Sequence, residues 1–442
     1  MAAPHPASLA EERQEVEKYL RRNYSAHALE GGLFIGGVAF VHPQTVLPRM
    51  IEKLGGPDWV IAASPILLMV GFFLPSLFIT HRLERLSFLK PFVMRIGALQ
   101  RLPYLLVGAT LWFVSGAGDA VLPLVVLAPL LSGLAGGVSV TAWREYVAKS
   151  IPPERRASLW AVRFVLGGVI GVLAGRVVTW ALSHYPPIAA YGVLHLGVFV
   201  FMAGSFIVFA FTREPNLDSH RPHAETNWWS YARSMRRAVR EDTRLRLYLP
   251  CRLLISGIYV VLPFLALHAL DVLHKPDGYL GRLLTCQMLG SVLGNVAGGY
   301  VGDRQGGKRI TLLSLAGSAA VPLAAIWMHT DLGFELLFVG LGLSLGLGAV
   351  GVPTLDLELS GFAQRMSYQT LIGFSHLLGM LGAVAAASFV RQETESFDVL
   401  ASIAAATTLA SLCLLVGLPE PRRGAGATQP GPATTAGESG AR

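Results

Sequence analysis

The chain has 442 residues, of which 52% are hydrophobic and only 14% are charged, and its mean hydropathy is +0.51. Since an average soluble domain carries about 25% charged residues, a soluble fold could not bury this much apolar surface. The formal charge of +8 would suit a nucleic-acid partner only if the cations formed a basic face on a soluble domain. Here they lie in short stretches between apolar runs, so we expect a membrane protein and no nucleic-acid partner.

The cysteines and the N-terminal region carry no sign of secretion. Cys251, Cys286 and Cys413 lie in or beside apolar segments. Three scattered thiols make neither a disulfide framework nor a metal site, so we expect small buried side chains and no metal. The first 26 residues are polar and lack the apolar core and cleavage site of a signal peptide. Residues 1–25 are therefore expected to form a cytoplasmic arm.

Long apolar segments follow one another along the chain. A helix needs about 20 predominantly apolar residues to cross the hydrocarbon core of a bilayer. Twelve segments meet this requirement: 26–47, 59–80, 93–115, 121–142, 158–183, 188–212, 247–269, 279–301, 310–329, 334–354, 370–390 and 397–418. The third is the least regular because Arg95 and Arg101 interrupt it, and a broken or interfacial helix is the alternative there. The sequence predicts an all-α polytopic membrane protein with 12 transmembrane helices.

The distribution of cations predicts the orientation of these helices. If the N-terminus is cytoplasmic, the loops on that side hold most of the lysines and arginines. The opposite side then holds Arg49, Lys53, Lys275, Arg282 and Arg391. Because cytoplasmic loops carry an excess of Lys and Arg, we expect both termini to be cytoplasmic. The expected location is the cell (inner) membrane.

The longest polar stretch between the spans divides the chain in two. Residues 213–246 separate an N-terminal six-helix bundle, residues 26–212, from a C-terminal six-helix bundle, residues 247–418. The aromatic and basic part of this cytoplasmic linker suits an amphipathic helix on an anionic inner leaflet, and an ordinary solvated helix is the alternative. Residues 419–442 are rich in Gly, Ala, Pro and Thr, which indicates a disordered cytoplasmic tail.

The stretch between the eighth and ninth spans reads GGYVGDRQGGKR. It resembles the signature loop of the major facilitator superfamily, in which Gly-x-x-x-Asp-Arg-x-Gly precedes one or more cations. The matching residues are Gly299, Asp303, Arg304, Gly306, Lys308 and Arg309. Together with the two groups of six spans, the resemblance implies the major facilitator fold. In that family the loop touches the eleventh helix and holds the inner gate shut, and cations that only anchor the loop are the alternative.

The first half departs from the family pattern. His81 stands where the equivalent loop would carry its Asp, and Leu77 stands where it would carry its Gly. Gly167, Gly171 and Gly175 in the fifth span lack the Gly-Pro pair of the antiporter signature, and close helix packing explains them. We therefore expect the first inner gate to be weaker or differently built.

Ionisable groups within a bilayer are costly, so those in the spans are candidates for the substrate or proton pathway. Glu30 in the first span either carries a proton or pairs with a cation such as Arg144 or Arg252. Gln44 lies nearly four turns further along the same face. The resemblance implies that the first helix lines the central cavity.

Two further spans carry polar candidates. Gln287, Ser291 and Asn295 recur at steps of four in the eighth span and face either water and substrate or another helix. His376 in the eleventh span either titrates near neutral pH or is a hydrogen-bonded packing residue.

Two arginines lie at the ends of spans that line the cavity in the family. Arg144 ends the fourth span and Arg252 begins the seventh. Their guanidinium groups suit an anionic substrate, with snorkelling to the lipid headgroups as the alternative. The excess of arginine over acid in the spans favours an anionic or zwitterionic solute.

These features predict a secondary active transporter, symporter or antiporter, that moves a small organic solute by alternating access, with protons as the candidate coupling ion. No P-loop is found, so ATP hydrolysis is not expected, and neither is another enzymatic activity or a cofactor. The expected partners are the solute, protons and membrane lipids, and the expected state is a monomer. The alternative is a non-transporting membrane receptor or assembly factor on the same scaffold, which the altered first gate favours.

Overall fold

Residues 6–83, 88–114, 118–215, 228–359 and 365–420 are described by the computed structural model, and within these ranges the chain forms helices and turns but no strand. The first eight helices are α1 (Pro6–Val38), α2 (Val46–Lys53), α3 (Asp58–Ala63), α4 (Leu67–Leu83), α5 (Lys90–Phe113), α6 (Leu122–Ser150), α7 (Pro153–His184) and α8 (Pro187–Ala210). The next eight are α9 (Trp228–Glu241), α10 (Thr243–Ile255), α11 (Leu262–Leu273), α12 (Tyr279–Gln305), α13 (Gly307–Ile326), α14 (Asp331–Leu359), α15 (Arg365–Thr394) and α16 (Phe397–Gly417). Of the predicted tail, only residues 419 and 420 belong to the described part of the chain.

Eight helical segments of the described chain are long and apolar enough to cross a membrane. They are Leu122–Ser150, Glu154–His184, Pro187–Ala210, Thr243–Leu273, Gly307–Ile326, Asp331–Leu359, Leu371–Thr394 and Phe397–Gly417. They coincide with the fourth to seventh and the ninth to twelfth predicted spans. The other predicted spans fall on α1, on α3 with α4, on α5 and on α12. The chain is thus an integral membrane protein of the all-α class.

Proline divides two of the predicted spans into shorter helices. The second span is interrupted between α3 and α4, where Pro65 follows Ser64 and the Ser64 hydroxyl donates to the carbonyl oxygen of Ile61 at 2.8 Å. The seventh span consists of α10 and α11 with a short 3-10 helix, Ser256–Val260, between them, and Pro263 opens α11. A proline has no backbone N–H and clashes with the preceding turn, which accounts for the breaks at these two places, although other prolines of the chain, such as Pro103, lie inside continuous helices.

The third predicted span is one continuous helix. Helix α5 runs unbroken from Lys90 to Phe113 although it contains Arg95, Arg101 and Pro103. The Arg101 side chain is buried and donates to the carbonyl oxygens of Gly97 and Met202, on its own helix and on α8. Because its donors are satisfied inside the protein, the arginine does not break the helix.

The helices pack in one scheme that occurs twice. In the first set, α1 to α8, helices α4 and α5 pack on α6, α5 packs on α8, and α1 packs on α7 and α8. In the second set, α9 to α16, helices α12 and α13 pack on α14, α13 packs on α16, and α10 packs on α15 and α16. The second list repeats the first with corresponding helices, which is the packing expected of a parallel internal repeat.

The two sets meet differently at the two ends of the molecule. We call the end that carries α2 and α3 the hairpin end, and the opposite end, where the chain passes from α8 to α9, the linker end. At the hairpin end one buried apolar cluster contains residues of both sets, such as Leu47 and Leu262. At the linker end the clusters around Tyr146 and Leu159 belong to the first set, and the cluster around Tyr248 belongs to the second.

At the linker end, α5 and α8 hold each other by reciprocal caps. The Lys90 ammonium group donates to the carbonyl oxygens of Ala210 and Thr212, at 2.8 and 2.7 Å. In return, the Glu214 carboxylate accepts from the backbone N–H groups of Leu89 and Lys90. Each charge faces the helix end that it favours, since free N–H groups begin a helix and free carbonyls end it.

The second set repeats this arrangement with residues of the signature loop. The Lys308 ammonium group, at the start of α13, donates to the carbonyl oxygens of Val416 and Leu418 at the end of α16, at 3.2 and 2.5 Å. The Gly307 N–H donates to the Glu358 carboxylate, at 3.1 Å to the nearer oxygen. Lys308 therefore ties two helices of the same set together.

We expect Lys308→Met to lower the free energy of unfolding by about 1–2 kcal/mol, because it removes two charge-assisted hydrogen bonds. Arg309→Met is the matched control, since Arg309 lies exposed in the same loop and donates to Gln305 one turn away. The measurement is the temperature at which half of the detergent-solubilised protein is lost from the monodisperse peak in size-exclusion chromatography. An equal loss in both variants would contradict the capping role of Lys308.

Candidate functional site

Ion pairs join the two sets at the hairpin end. The Arg49 guanidinium on α2 contacts Asp277, between α11 and α12, with its Nε and Nη2 each 2.9 Å from Oδ1. Lys53 lies one turn further along α2, and its Nζ is 3.6 Å from Asp277 Oδ2. The side chains of Arg49 and Asp277 are 16% and 15% exposed, so bulk water screens this pair only partly.

A second ion pair crosses at the same end with the charges reversed. Arg391 on α15 of the second set lies 3.4 Å from the Asp58 carboxylate at the start of α3. Arg49 additionally contacts Glu52 on its own helix at 2.5 Å. Burial alone lowers the pKa of Arg49, but the hydrogen bond to Glu52 and the charge of Asp277 outweigh it and raise that pKa. The guanidinium therefore stays charged at any physiological pH.

A polar junction lies beneath these ion pairs and contains two of the predicted pathway residues. Gln287 on α12 donates from Nε2 to the Gln44 side-chain oxygen at 2.9 Å, and its own oxygen accepts from the Thr45 hydroxyl at 3.1 Å. The His42 Nδ1 is 2.9 Å from the Thr45 oxygen. In this conformation Gln287 hydrogen-bonds across the two sets. His42 and Thr45 were missed from the sequence, although they flank Gln44 in the run His42-Pro-Gln-Thr45.

The rest of the polar stripe on α12 lies toward the linker end. Ser291 and Asn295 are half-buried, and Asn295 Nδ2 donates to the Ser291 carbonyl oxygen at 2.8 Å. The Asn295 side-chain oxygen has no hydrogen-bond partner among the described residues. Gln287 is thus engaged between the sets, whereas Ser291 and Asn295 hydrogen-bond along their own helix.

Glu30 forms an ion pair within the first set. Its Oε2 accepts from Arg163 Nη1 on α7 at 2.5 Å, and the same nitrogen donates to the His27 carbonyl oxygen at 2.7 Å. A cation such as Arg144 or Arg252 was expected as the partner of Glu30, and the structure gives Arg163 instead. Arg163 lies within the fifth predicted span, residues 158–183, and that position was the available signal in the sequence.

Packing fixes the Arg163 guanidinium in place. Its central carbon lies 4.8 Å from the ring centre of Trp143 and 5.2 Å from that of Trp160, so the cation contacts two indoles. Gly31 lies directly beneath it, and a Cβ added at that glycine would overlap with the guanidinium. The close approach of α1 to α7 at this point therefore requires glycine.

The second set contains its own buried ion pair. Arg252 Nε on α10 lies 3.6 Å from Asp356 Oδ1 on α14, and the Tyr248 hydroxyl donates to the same oxygen at 2.6 Å. Asp356 was missed because the tenth predicted span ends at residue 354. Helix α14 continues through Pro353 to Leu359 and carries the carboxylate into the interior.

His376 and Arg144 differ sharply in their surroundings. The His376 Nδ1 lies 2.7 Å from the Ser256 hydroxyl, which also donates to the His376 carbonyl oxygen at 3.1 Å. This is the hydrogen-bonded arrangement that the sequence analysis offered as one alternative. Arg144 lies exposed near the end of α6 at the linker end.

The signature loop turns sharply between α12 and α13. Gly306 has a φ of 86°, a left-handed conformation that favours glycine. Asp303 and Arg304 are exposed, and the Arg304 guanidinium lies 3.7 Å from the ring centre of Tyr300. Gly299 has no neighbour close enough to contact an added Cβ, so its position leaves room for a side chain.

No protein-family model and no curated protein matches the chain. Several solved structures are similar to the chain. A mutant of the nucleoside transporter NupG has a TM-score of 0.66 at 12% identity and covers 90% of this chain and 100% of its own. A D-xylose-proton symporter has a TM-score of 0.61 at 13% identity, covering 91% and 99%. A second NupG structure has a TM-score of 0.59 at 14% identity, covering 90% and 98%. The chain therefore has the fold of the major facilitator superfamily transporters, as its signature loop predicts.

Proposed function

We propose that the chain is a secondary active transporter that moves a small polar organic solute across a membrane by alternating access. The observation that carries the proposal is the unequal contact between the two sets. Ion pairs, the polar junction and a shared apolar cluster join them at the hairpin end, while their apolar clusters are separate at the linker end. This is the contact pattern of a transporter closed on one side. A nucleoside transporter and a D-xylose-proton symporter have the same fold.

We propose two six-helix bundles, residues 26–212 and 247–418, that together cross the membrane twelve times. The repeated packing scheme supports this division. The linker, residues 213–246, then joins them on the cytoplasmic side of the inner membrane, where both termini lie, since the cations concentrate at the linker end. In this arrangement the protein is a monomer surrounded by lipid, and the basic face of α9 meets the lipid headgroups.

The solute is proposed to be uncharged or zwitterionic. Two of the arginines in the spans, Arg163 and Arg252, are paired with Glu30 and Asp356 and add no net charge. The remaining polar groups along α12 are amides and hydroxyls, which suit solutes rich in hydroxyl groups. Arg144 remains as a cation for a negatively charged part of the solute.

We propose that Glu30 carries the coupling proton. It is a buried carboxylate whose ion pair joins α1 to α7. A proton on Glu30 would break that pair and so couple the protonation state to the packing of the first bundle. The exposed Asp303 and Arg304 of the signature loop are proposed to close the linker end in the opposite conformation, while Lys308 anchors the loop.

The proposal is tested by thermal stabilisation of the purified protein across a panel of nucleosides, monosaccharides, amino acids and dicarboxylates. Each stabilising compound is then used as a radiolabelled probe in proteoliposomes with an imposed proton gradient. Saturable, protein-dependent uptake is expected for at least one compound. Folded protein that neither binds nor moves any compound of the panel would favour the receptor or assembly factor over a transporter.

Glu30→Gln should abolish proton-driven accumulation of that probe while exchange across the membrane continues, because the amide keeps the shape of the side chain but takes no proton. Asp356→Asn is the matched control, since it also breaks a buried ion pair but in the second bundle. Its stability should fall, but the folded protein should keep proton-driven accumulation. Undiminished accumulation in Glu30→Gln would remove Glu30 from the coupling mechanism.

Breaking the hairpin-end ion pairs should open that end. We expect Asp277→Asn with Asp58→Asn to raise the population of the open form about tenfold, the ratio that corresponds to a combined loss of about 1.4 kcal/mol. The readout is the spin-label distance between Trp59→Cys and His329→Cys, in a background without the native cysteines. Both positions are exposed.

Two variants control this measurement. Lys275→Gln breaks an ion pair with Asp331 at the same end but within the second set, and it should leave the distances unchanged. Asp58→Arg with Arg391→Asp reverses one crossing pair and should restore the short distance that Asp58→Asn loses. A distance distribution that is the same in all variants would show that the ion pairs do not hold this end closed.

A further inference from the structure

His27 is buried in a way that its packing does not explain. Its side chain is fully shielded on α1 and packs against Tyr146 of α6 and Phe209 of α8, with ring centres 5.5 and 5.9 Å away in edge-to-face contact. Neither ring nitrogen has a hydrogen-bond partner among the described residues. The ring thus occupies an aromatic slot that phenylalanine would also fill.

An unpaired imidazole in this slot is costly. A neutral histidine always presents one N–H donor and one lone pair. Leaving a buried polar group without a partner destabilises the fold, and the large majority of such groups are paired in folded proteins. A partner that arrives in another state of the protein would account for the ring.

The nearest group that can become that partner is Glu30, one turn along α1. The Glu30 Oε2 lies 4.0 Å from the His27 Nδ1, just beyond hydrogen-bond distance. Arg163 holds the carboxylate away from the ring, because its Nη1 bridges Glu30 Oε2 and the His27 carbonyl oxygen. A small rotation of the Glu30 side chain would therefore exchange Arg163 for His27.

The charges around the ring decide which proton arrangement is possible. Arg163 faces it from α7, and Arg101 on α5 lies within electrostatic range of Glu30. From α6 comes the Tyr146 phenol, which donates to the Thr212 hydroxyl on the α8 side, and α8 itself presents Phe209. Burial and the Arg163 guanidinium both disfavour a positive charge on the ring, so His27 acts as a neutral acceptor.

We propose that His27 is a positioning residue for the protonated form of Glu30. When Glu30 takes up a proton and leaves Arg163, its carboxyl O–H donates to the His27 Nδ1, while the imidazole keeps its own proton on Nε2. The neutral carboxyl then has a partner in the dry interior, and the protonated state persists while the bundles move. This inference rests on the proposed proton coupling at Glu30.

The test is infrared difference spectroscopy of the full-length protein in lipid nanodiscs as a function of pH. The carbonyl band of protonated Glu30 is identified by its loss in Glu30→Gln. In His27→Phe the pH at which this band is half-maximal should fall by about one unit, since one hydrogen bond to the protonated form is lost. The band should also move to the higher frequency of a carboxyl without a hydrogen-bond partner.

Two further variants make the result specific. His27→Gln offers an oxygen acceptor, so its midpoint should stay closer to the wild type than that of His27→Phe. His195→Phe replaces another fully buried histidine of the first set whose Nε2 has no partner among the described residues, and it should leave the band unchanged. If His27→Phe does not fold, the position of the Glu30 band in His27→Gln still reports whether the acceptor has changed.

A wild-type midpoint and frequency in a folded His27→Phe would overturn the proposal, as would a wild-type protein in which Glu30 takes up no proton at any pH at which it stays folded. Neither result depends on whether the protein binds or moves a compound of the solute panel. Solute uptake with an unmoved Glu30 band would leave the protein a transporter without this role for His27. Absence of binding and uptake would instead refute the transport function itself.

Discussion

A charged side chain that is buried away from water needs an oppositely charged partner. In this chain, the buried ion pairs join helices that stay together, and other ion pairs join helices that can part. Glu30 with Arg163 and Arg252 with Asp356 are each paired within one set. Breaking such a pair by removing one partner is strongly destabilising, since a lone charge is left in the interior. The pairs that join the two sets lie instead at the hairpin end, partly in water, where separation costs less.

Glycines line another contact between the two sets, where α7 packs on α12. Helices α7 and α12 approach so closely that a Cβ at Gly168 or Gly171 would overlap with Val292 or Met288, and at Gly175 with the backbone of Gly281. Small residues allow such backbone contact without interlocking side chains. The two sets can therefore tilt against each other along this line, which the deeply interdigitated core of a soluble protein would resist.

The sequence predicted the class, the repeat and the signature loop because each depends on a periodic or local signal. Apolar length identified most of the spans, and the fold followed from the loop at Gly299–Arg309. From the sequence, Gln44 and Gln287 were separate candidates in different halves of the chain. In the structure they share one hydrogen bond. The partner of Glu30 could not be found this way, since which arginine of several meets the carboxylate depends on the packing of α1 against α7. Asp356 was missed for a different reason, because the predicted tenth span ends at residue 354, whereas α14 continues to Leu359.

The two sets repeat their packing but not their charges. The acid of the first set is on α1, whereas the corresponding helix of the second set, α10, carries the cation Arg252. A proton on Glu30 therefore changes the net charge of the buried ion pair in the first set alone, and it leaves Arg163 without its carboxylate. That arginine keeps other partners, because its Nη1 still donates to the His27 carbonyl oxygen and its guanidinium contacts two indoles. Aromatic faces stabilise a desolvated cation by about 2 kcal/mol. Arg252 has no comparable pair of indole contacts among the described contacts, so neutralising Asp356 would leave a less well stabilised cation. The proton is therefore better accommodated in the first set than in the second.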